Sequence, residues 1–239
     1  MLLTTKAIVF SAIKYGEADL IVSCFTEESG IRSYLLKNIL RSKRGKLKRA
    51  LFLPLTQLEI VAFHKTNGTL GRIREAKVEF HYQSLHSDII KLSLVLFLAE
   101  VLKKSIREEE ENKPLYRFIS QSFLWLDQHD NCANFHLLFL LKLTHYLGFY
   151  PNTVNEDAPF FNLEEGCFQN NDLDNTCVSG ENIVLLKTFL GINFDTLEQT
   201  KLSKKTRLAF LDLLLSYYKL HLQGFKNPES LSVLNQLFN

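Results

Sequence analysis

The sequence predicts an α+β protein in which an N-terminal five-stranded β-barrel is followed by an all-α helical domain. Through residue 80, β-branched and aromatic runs alternate with turn signals, whereas beyond Ser84 apolar residues recur at helical spacing. The chain has 239 residues, of which 46% are apolar and 23% charged, as is typical of packed globular proteins. We therefore expect a barrel domain at residues 1–80 and a helical domain at residues 81–239.

Five candidate strands follow one another in the first domain. A polar turn separates TKAIVFSAI from LIVSCFT, and Gly30 ends a second turn before IRSYLL. The fourth and fifth candidates, LTQLEIVAFH and TLGRIREAKVEF, flank Asn67-Gly68, which is a strong hairpin signal. Short strands joined mostly by hairpins favour the five-stranded oligonucleotide-binding (OB) barrel, and a small β-sandwich is the alternative.

The connection between the third and fourth strands is strongly basic. Seven of the thirteen residues from Lys37 to Arg49 are Lys or Arg and none is acidic: Lys37, Arg41, Lys43, Arg44, Lys46, Lys48 and Arg49. Gly45 interrupts it and apolar residues are few, so we interpret it as a loop. Arg72, Arg74 and Lys77 on the last strand extend the same positive character.

One basic loop in isolation is more often a solvated run of surface charge than a binding site. The overall charge distribution favours binding here. Residues 1–80 hold 14 Lys and Arg against 7 Asp and Glu, a net charge of +7, whereas residues 81–239 have a net charge of −5. A polyanion is therefore expected to bind the barrel, with the seven basic residues of the loop, together with Arg72 and Arg74, as phosphate contacts. Of the barrel aromatics, Tyr15 and Tyr34 are the best candidates for exposed rings that stack on bases.

Helical periodicity begins near Ser84. A first helix, capped by Ser84 or Ser87, is apolar nearly all round and should be buried. Pro114 fits the first position of a second helix, and Gly148 ends a third. Residues 149–180 form a long Asn- and Asp-rich connection, followed by ENIVLLKTFL, a helix capped by Ser203 and a short terminal helix. Glu108–Glu111 are interpreted as a solvated acidic run.

The sequence gives no support for hydrolytic or redox chemistry. It contains neither a phosphate-binding Gly-Lys loop nor a Gly-x-Ser-x-Gly motif, so we expect no enzymatic activity. Cys132 with His136, and His81 with His86, lack further ligands at metal-binding spacing and are expected to be structural. Four scattered cysteines suit a reducing compartment, no apolar run reaches membrane-spanning length, and we infer a cytoplasmic protein.

Several segments together carry a family resemblance: residues 6–30 with Tyr15-Gly16-Glu17 and Asp19, the basic loop followed by Leu53-Pro54-Leu55, and the segments FHLLFLLKLTHYLGFYP, FFNLEEGCF and SLSVLNQLF. They resemble the RecO family of recombination mediator and DNA repair proteins, and SLSVLNQLF is similar to the tail of its members from the Bacteroides group. These motifs occur in family order over nearly the whole chain. The resemblance implies an OB barrel and a helical domain that bind single- and double-stranded DNA and anneal complementary strands.

The resemblance also implies partners. RecO proteins act with RecR and contact the C-terminal tail of single-stranded-DNA-binding protein, so that RecA can load on the coated strand. We expect the helical domain to hold this acidic tail, assisted by Lys204, Lys205 or Arg207.

Many family members bind zinc through two close cysteine pairs in the segment that corresponds to residues 149–180. This chain has only Cys167 and Cys177 there, and a pair of thiols lacks the four ligands of structural zinc. We therefore expect a degenerate zinc-finger remnant without a metal. Two other functions stay open, an RNA-binding OB module and an enzyme whose site lies in residues 149–180.

Overall fold

The structure is a computed structural model that describes residues 2–41, 47–64, 69–172 and 176–237. It divides into two compact units, Met1–Gln128 and His129–Asn239. The proposal that the barrel domain ends at residue 80 is a statement about which part of the chain folds alone. It stays a prediction.

The first unit contains an antiparallel five-stranded sheet, which confirms the five strands predicted from alternation and turn signals. Its strand order is β3-β2-β1-β4-β5. The first strand continues through Lys14 and Tyr15, which the sequence placed in a turn. The strands are β1 (Leu2–Tyr15), β2 (Asp19–Thr26), β3 (Gly30–Leu36), β4 (Gln57–Phe63) and β5 (Arg72–Val78).

The edge strands β3 and β5 meet at Gly71. Its N–H donates to Ser33 O (2.8 Å) and its carbonyl accepts from Leu35 N (3.0 Å). A Cβ at Gly71 would lie 2.7 Å from Phe63 O and 2.9 Å from the Tyr34 ring, so only glycine allows this approach. The two edge strands meet at this bridge and not along a continuous ladder, so the barrel is only partly closed, as is typical of OB folds. This architecture confirms the predicted fold class.

The barrel interior is apolar, and apolar residues near the two ends of the basic connection pack into it or against it. Side chains from all five strands fill it, including Val9, Val22, Tyr34, Ile60 and Ile73. Ile39 and Phe52 join this core, and Leu40, Leu47 and Leu51 pack against it. Phe52 belongs to a short 3₁₀ helix, Arg49–Phe52, that precedes β4.

Two helices, α1 (Ile89–Ser105) and α2 (Lys113–Gln128), complete the first unit. Helix α1 contacts β1, and Tyr116 of α2 lies 6.0 Å, centroid to centroid, from the ring of Phe25. Helix α1 is buried over most of its length, as predicted.

Two predictions about the ends of these helices were wrong. The N-cap of α1 is Asp88, not Ser84 or Ser87, because its carboxylate accepts from Ile90 N and Lys91 N, both at 2.9 Å. Helix α2 begins one residue before Pro114.

The second unit is mainly helical. Helix α3 contacts α4, α5 and α6, and the Tyr218 hydroxyl donates to Leu140 O (2.8 Å). Ser203 caps α6 as predicted, accepting from Thr206 N. The connection between α3 and α4 contains a small sheet of order β7-β6-β8, which the sequence did not predict because its strands have two or three residues each. The elements are α3 (Phe135–Tyr146), β6 (Phe160–Asn162), β7 (Cys167–Gln169), β8 (Cys177–Val178), α4 (Glu181–Gly191), α5 (Phe194–Leu197), α6 (Lys204–His221) and α7 (Leu231–Leu237).

Across the described ranges, none of the helices combines the length and the apolar character needed to cross a bilayer.

Candidate nucleic-acid interface

The candidate interface consists of the basic residues of the β3–β4 connection and of β5. Lys43, Arg44 and Lys46 lie outside the described residues. The other six predicted contacts are all exposed: Lys37, Arg41, Lys48, Arg49, Arg72 and Arg74.

The start of the connection is tied to the turn between β1 and β2. Asn38 adopts a left-handed conformation with φ of 56°, and its N–H donates to the Asp19 carboxylate (2.7 Å). Leu40 N donates to Ala18 O (2.9 Å). Because the apolar residues at both ends of the connection pack on the barrel core, its described basic side chains face solvent.

The elements that carry the described basic residues are neighbours. The 3₁₀ helix Arg49–Phe52 contacts β1 and β5, and β3 meets β5 at Gly71, one residue before Arg72. Lys37 directly follows β3. The fold therefore brings the end of β3, the 3₁₀ helix and β5 into one region, although they are far apart in sequence.

Some of these cations are partly neutralised by nearby carboxylates. Arg41 pairs with Glu17, Arg74 lies 3.6 Å from Glu75, and Lys77 lies 2.7 Å from Glu59. Within the part of the chain that the structure describes, four of the basic residues form no ion pair: Lys37, Lys48, Arg49 and Arg72. These four residues have the most charge available for phosphates.

The two candidate stacking aromatics have opposite environments. Tyr15 is 55% exposed at the end of β1, so its ring is accessible. The prediction that Tyr34 is exposed was wrong, since its side chain is fully buried and its hydroxyl lies 2.8 Å from His64 Nε2. Tyr34 shares its side of β3 with Leu36, a core residue, and this two-residue period was the signal available in the sequence.

The acidic run Glu108–Glu111 is exposed, as predicted, but it also contacts the barrel. Ile31 N donates to Glu108 O (3.0 Å), and Arg32 Nη1 donates to the Glu109 carboxylate (2.5 Å). Sequence reasoning missed Arg32 because its partner lies 77 residues away, and no local pattern reports such a contact.

In the second unit, Arg207 lines an open cavity of about 270 Å³ together with Lys201. Its Nε donates to Asn134 Oδ1 (2.9 Å) and its Nη2 to Leu202 O (3.2 Å), while burial lowers the pKa of the guanidinium. Lys204 and Lys205 are exposed at the start of α6 and do not line this cavity.

The two cysteines of the small sheet do not fit a zinc site. Cys167 and Cys177 both pair with Asn162, one on each side of β6. Two strand spacings separate them, about 10 Å, and side chains stand roughly perpendicular to a sheet, so the thiols do not converge. The Asn162 side chain is instead used locally, accepting from Glu164 N (2.9 Å) and Glu165 N (3.1 Å).

The other candidate metal ligands are Cys132 with His136 and His81 with His86. Cys132 and His136 are both buried, and His86 Nε2 lies 2.8 Å from Pro54 O, whereas His81 is exposed. Among the described residues, no three His, Cys, Asp or Glu side chains cluster closely enough to hold a metal ion.

Comparison with known proteins identifies the family. The family model described as "Recombination protein O N terminal" matches residues 1–82, and the one described as "Recombination protein O C terminal" matches residues 86–230. Curated proteins named "DNA repair protein RecO" are similar over their whole length and that of this chain. Identity is 52% over 238 residues for the protein of Christiangramia forsetii, 44% over 239 for Flavobacterium psychrophilum and 36% over 243 for Bacteroides fragilis. The fold, the order of motifs and these matches agree, and the chain belongs to the RecO family of DNA repair and recombination proteins.

Proposed function

We propose that this chain is a non-enzymatic protein of the cytoplasm that binds single- and double-stranded DNA through its barrel and anneals complementary strands. It acts with RecR to load RecA on DNA coated by single-stranded-DNA-binding protein. Family membership supports the role in repair and recombination. The observation that carries DNA binding is the exposed basic group formed by Lys37, Lys48, Arg49 and Arg72, which form no ion pair with described residues.

Charge supplies a mechanism for annealing. Two strands must approach against the repulsion of their phosphates, and a protein that neutralises phosphates on both strands lowers this repulsion. Contacts to phosphates leave the base edges free to pair, and they carry no sequence information. The outward-facing basic residues meet this requirement without any catalytic group.

The first test replaces these four residues together, as K37A/K48A/R49A/R72A. Binding to a single-stranded oligonucleotide should weaken for all sequences alike, and the log–log salt slope should shrink by roughly 0.7 for each phosphate that the variant no longer neutralises. Fluorescence anisotropy at several salt concentrations measures both quantities. Strand annealing in the presence of single-stranded-DNA-binding protein should decrease with binding.

A matched variant, K103A/R117A/K219A/K226A, removes the same charge from exposed positions on α1, on α2, on α6 and after α6. Equal decreases in affinity for the two variants would show that net charge alone matters, and unchanged binding in the first would place the DNA site elsewhere. Competition between DNA and RNA of matched sequence separates this function from an RNA-binding role.

For the partner tail, we propose the cavity lined by Lys201 and Arg207 in the second unit. An acidic peptide suits a cavity with two cations, although Glu198 also lines it and should weaken the field. In the full chain, K201A should reduce binding of a labelled tail peptide, while K219A, on the exposed part of α6, should not. Equal peptide affinity for wild type and K201A would count against this cavity.

A further inference from the structure

The acidic segment 108–111 is held by its backbone against the turn that begins β3. Ile31 N donates to Glu108 O (3.0 Å). Gly30 is in the left-handed region with φ of 62°, and a Cβ there would lie 2.5 Å from the same carbonyl oxygen. The close approach of the two backbones requires glycine at this position and fixes the segment beside β3.

Within this contact, the guanidinium of Arg32 holds Glu109. Nη1 donates to the Glu109 carboxylate (2.5 Å) and Nη2 to the Glu109 carbonyl (3.0 Å). Arg32 Nε is buried and has no hydrogen-bond partner among the described residues. The Arg32 side chain is 25% exposed and that of Glu109 is 60% exposed, so the cation is fixed by the fold and the anion is at the surface.

A cavity of about 70 Å³ adjoins this ion pair at the seam between β3 and β5. Ser33 and Thr69 are among the residues that line it, together with the hydrogen-bonded pair of Tyr34 and His64. Arg32 contributes the cation, and Glu109 contributes the one carboxylate among the described lining residues. A lining that combines a cation and several polar residues with a single carboxylate suits an oxyanion as ligand.

We propose that Arg32 and this cavity form a phosphate subsite for single-stranded DNA, and that the Glu109 carboxylate occupies the subsite in the free protein as an internal competitor. The inference rests on the proposed DNA-binding function. Guanidinium binds phosphate and carboxylate oxygens in the same planar geometry, so a site that holds one can hold the other. An ion pair as exposed as this one is weak, and a polyanion can displace its carboxylate.

The subsite is continuous with the basic surface. Gly71 lines the cavity and directly precedes Arg72 on β5. On the other side of the seam, Lys37 lies five positions after Arg32, about 17 Å away at roughly 3.3 Å per residue of extended chain. A single DNA strand that lies along the seam between β3 and β5 can therefore contact Arg32, Arg72 and Lys37 in turn.

The test uses the full chain and a labelled single-stranded oligonucleotide. E109Q removes the competing charge and should bind several-fold more tightly than wild type. R32Q should bind more weakly, with a salt slope smaller by about 0.7, the value for one single-strand phosphate contact. The double variant R32Q/E109Q should bind like R32Q, because the competitor acts only through Arg32.

E111Q is the matched control, since it removes one negative charge from the same segment at a residue that pairs with Lys113 rather than Arg32. An equal gain in E111Q and E109Q would mean a long-range charge effect and overturn the subsite, as would unchanged binding in R32Q. If R32Q does not fold, the comparison of E109Q with E111Q decides. Failure of the proposed function is a different result, in which the wild type itself does not bind DNA.

Discussion

At the scale of single residues, the burial of the His136 imidazole couples the stability of the fold to pH. It is 1% exposed, and burial, with a smaller effect of the Arg207 charge, lowers its pKa to about 3. The folded chain therefore resists protonation at pH values where the unfolded chain, with a histidine pKa of about 6.5, accepts a proton. Stability from this group is complete above the unfolded pKa and is lost as pH falls toward the folded one.

We predict that, between pH 7.5 and 5.5, wild type loses about 1.4 kcal/mol more unfolding free energy than H136Q, which cannot take up this proton. Urea denaturation followed by circular dichroism at the two pH values measures the difference. H81Q, at an exposed histidine, serves as control and should follow wild type. Parallel decreases in wild type and H136Q would show that His136 is not responsible.

Residues with a local signature could be predicted from the sequence, and those defined by distant contacts could not. Charge and the lack of apolar periodicity correctly placed Lys37 and Arg49 on the surface. Tyr34 was misjudged because aromatic character outweighed its two-residue spacing from Leu36. The ion pair of Arg32 and Glu109 joins segments that only the fold brings together, and composition gives no sign of it.

At the scale of elements, the end of α2 binds the backbone of residues 83–85, which precede α1. The Asp127 carboxylate accepts three backbone N–H groups, from Gln83 (2.9 Å), Ser84 (2.8 Å) and Leu85 (2.8 Å). Burial raises the pKa of this carboxyl, but the hydrogen bonds outweigh burial and hold it below its usual value. The ionised form therefore stabilises the fold above the unfolded pKa, and this contribution disappears as pH falls through the lower folded pKa.

D127N should lower the unfolding free energy at pH 7 by about 1 to 3 kcal/mol, the usual effect of losing hydrogen bonds to a charged group. The difference from wild type should narrow as pH falls below the ordinary aspartate pKa, because the unfolded wild-type chain then binds a proton at Asp127 that the folded chain does not yet bind. Denaturant titrations at pH 7 and pH 3.5 measure both values. D130N changes an exposed aspartate just beyond α2 and provides the control.

Element type was predictable where periodicity extends over many residues, as in the five strands, α1 and α6. The ends of elements were less predictable. The N-cap of α1 could be Ser84, Ser87 or Asp88, and the choice depends on which of these side chains forms hydrogen bonds elsewhere in the tertiary structure. Ser84 instead donates to Asp127 O (2.7 Å). The short strands β6 to β8 have no period of their own and exist through their pairing.

At the scale of the whole molecule, the connection between α3 and α4 contains a small sheet in which Cys167 and Cys177 pair with opposite sides of β6. Asn162, between the two cysteines, ties the following turn through its side chain. We predict that purified protein holds far less than one zinc per chain and that a chelator leaves its melting temperature unchanged. Elemental analysis and thermal scans with and without chelator test this, and one tightly bound zinc would contradict it.

The last prediction concerns which part of the chain folds alone. Residues 1–128 form one compact unit, in which α1 and α2 pack on the outer face of the barrel. Removing them would expose Phe25, now 1% exposed. Ending the chain at residue 80 would also remove both partners of Gln57, whose amide donates to the Tyr82 hydroxyl (2.7 Å) and to Ser120 O (3.0 Å).

We therefore expect a fragment of residues 1–128 to unfold cooperatively in urea and to bind single-stranded DNA nearly as well as the full chain. A fragment of residues 1–80 should show a broad transition and bind a hydrophobic dye, because the apolar face of β1 and β2 is then uncovered. Circular dichroism, dye fluorescence and anisotropy on the two fragments distinguish these outcomes. A sharp transition with full strand content in the shorter fragment would show that the barrel folds alone and that the helices are added to a finished domain.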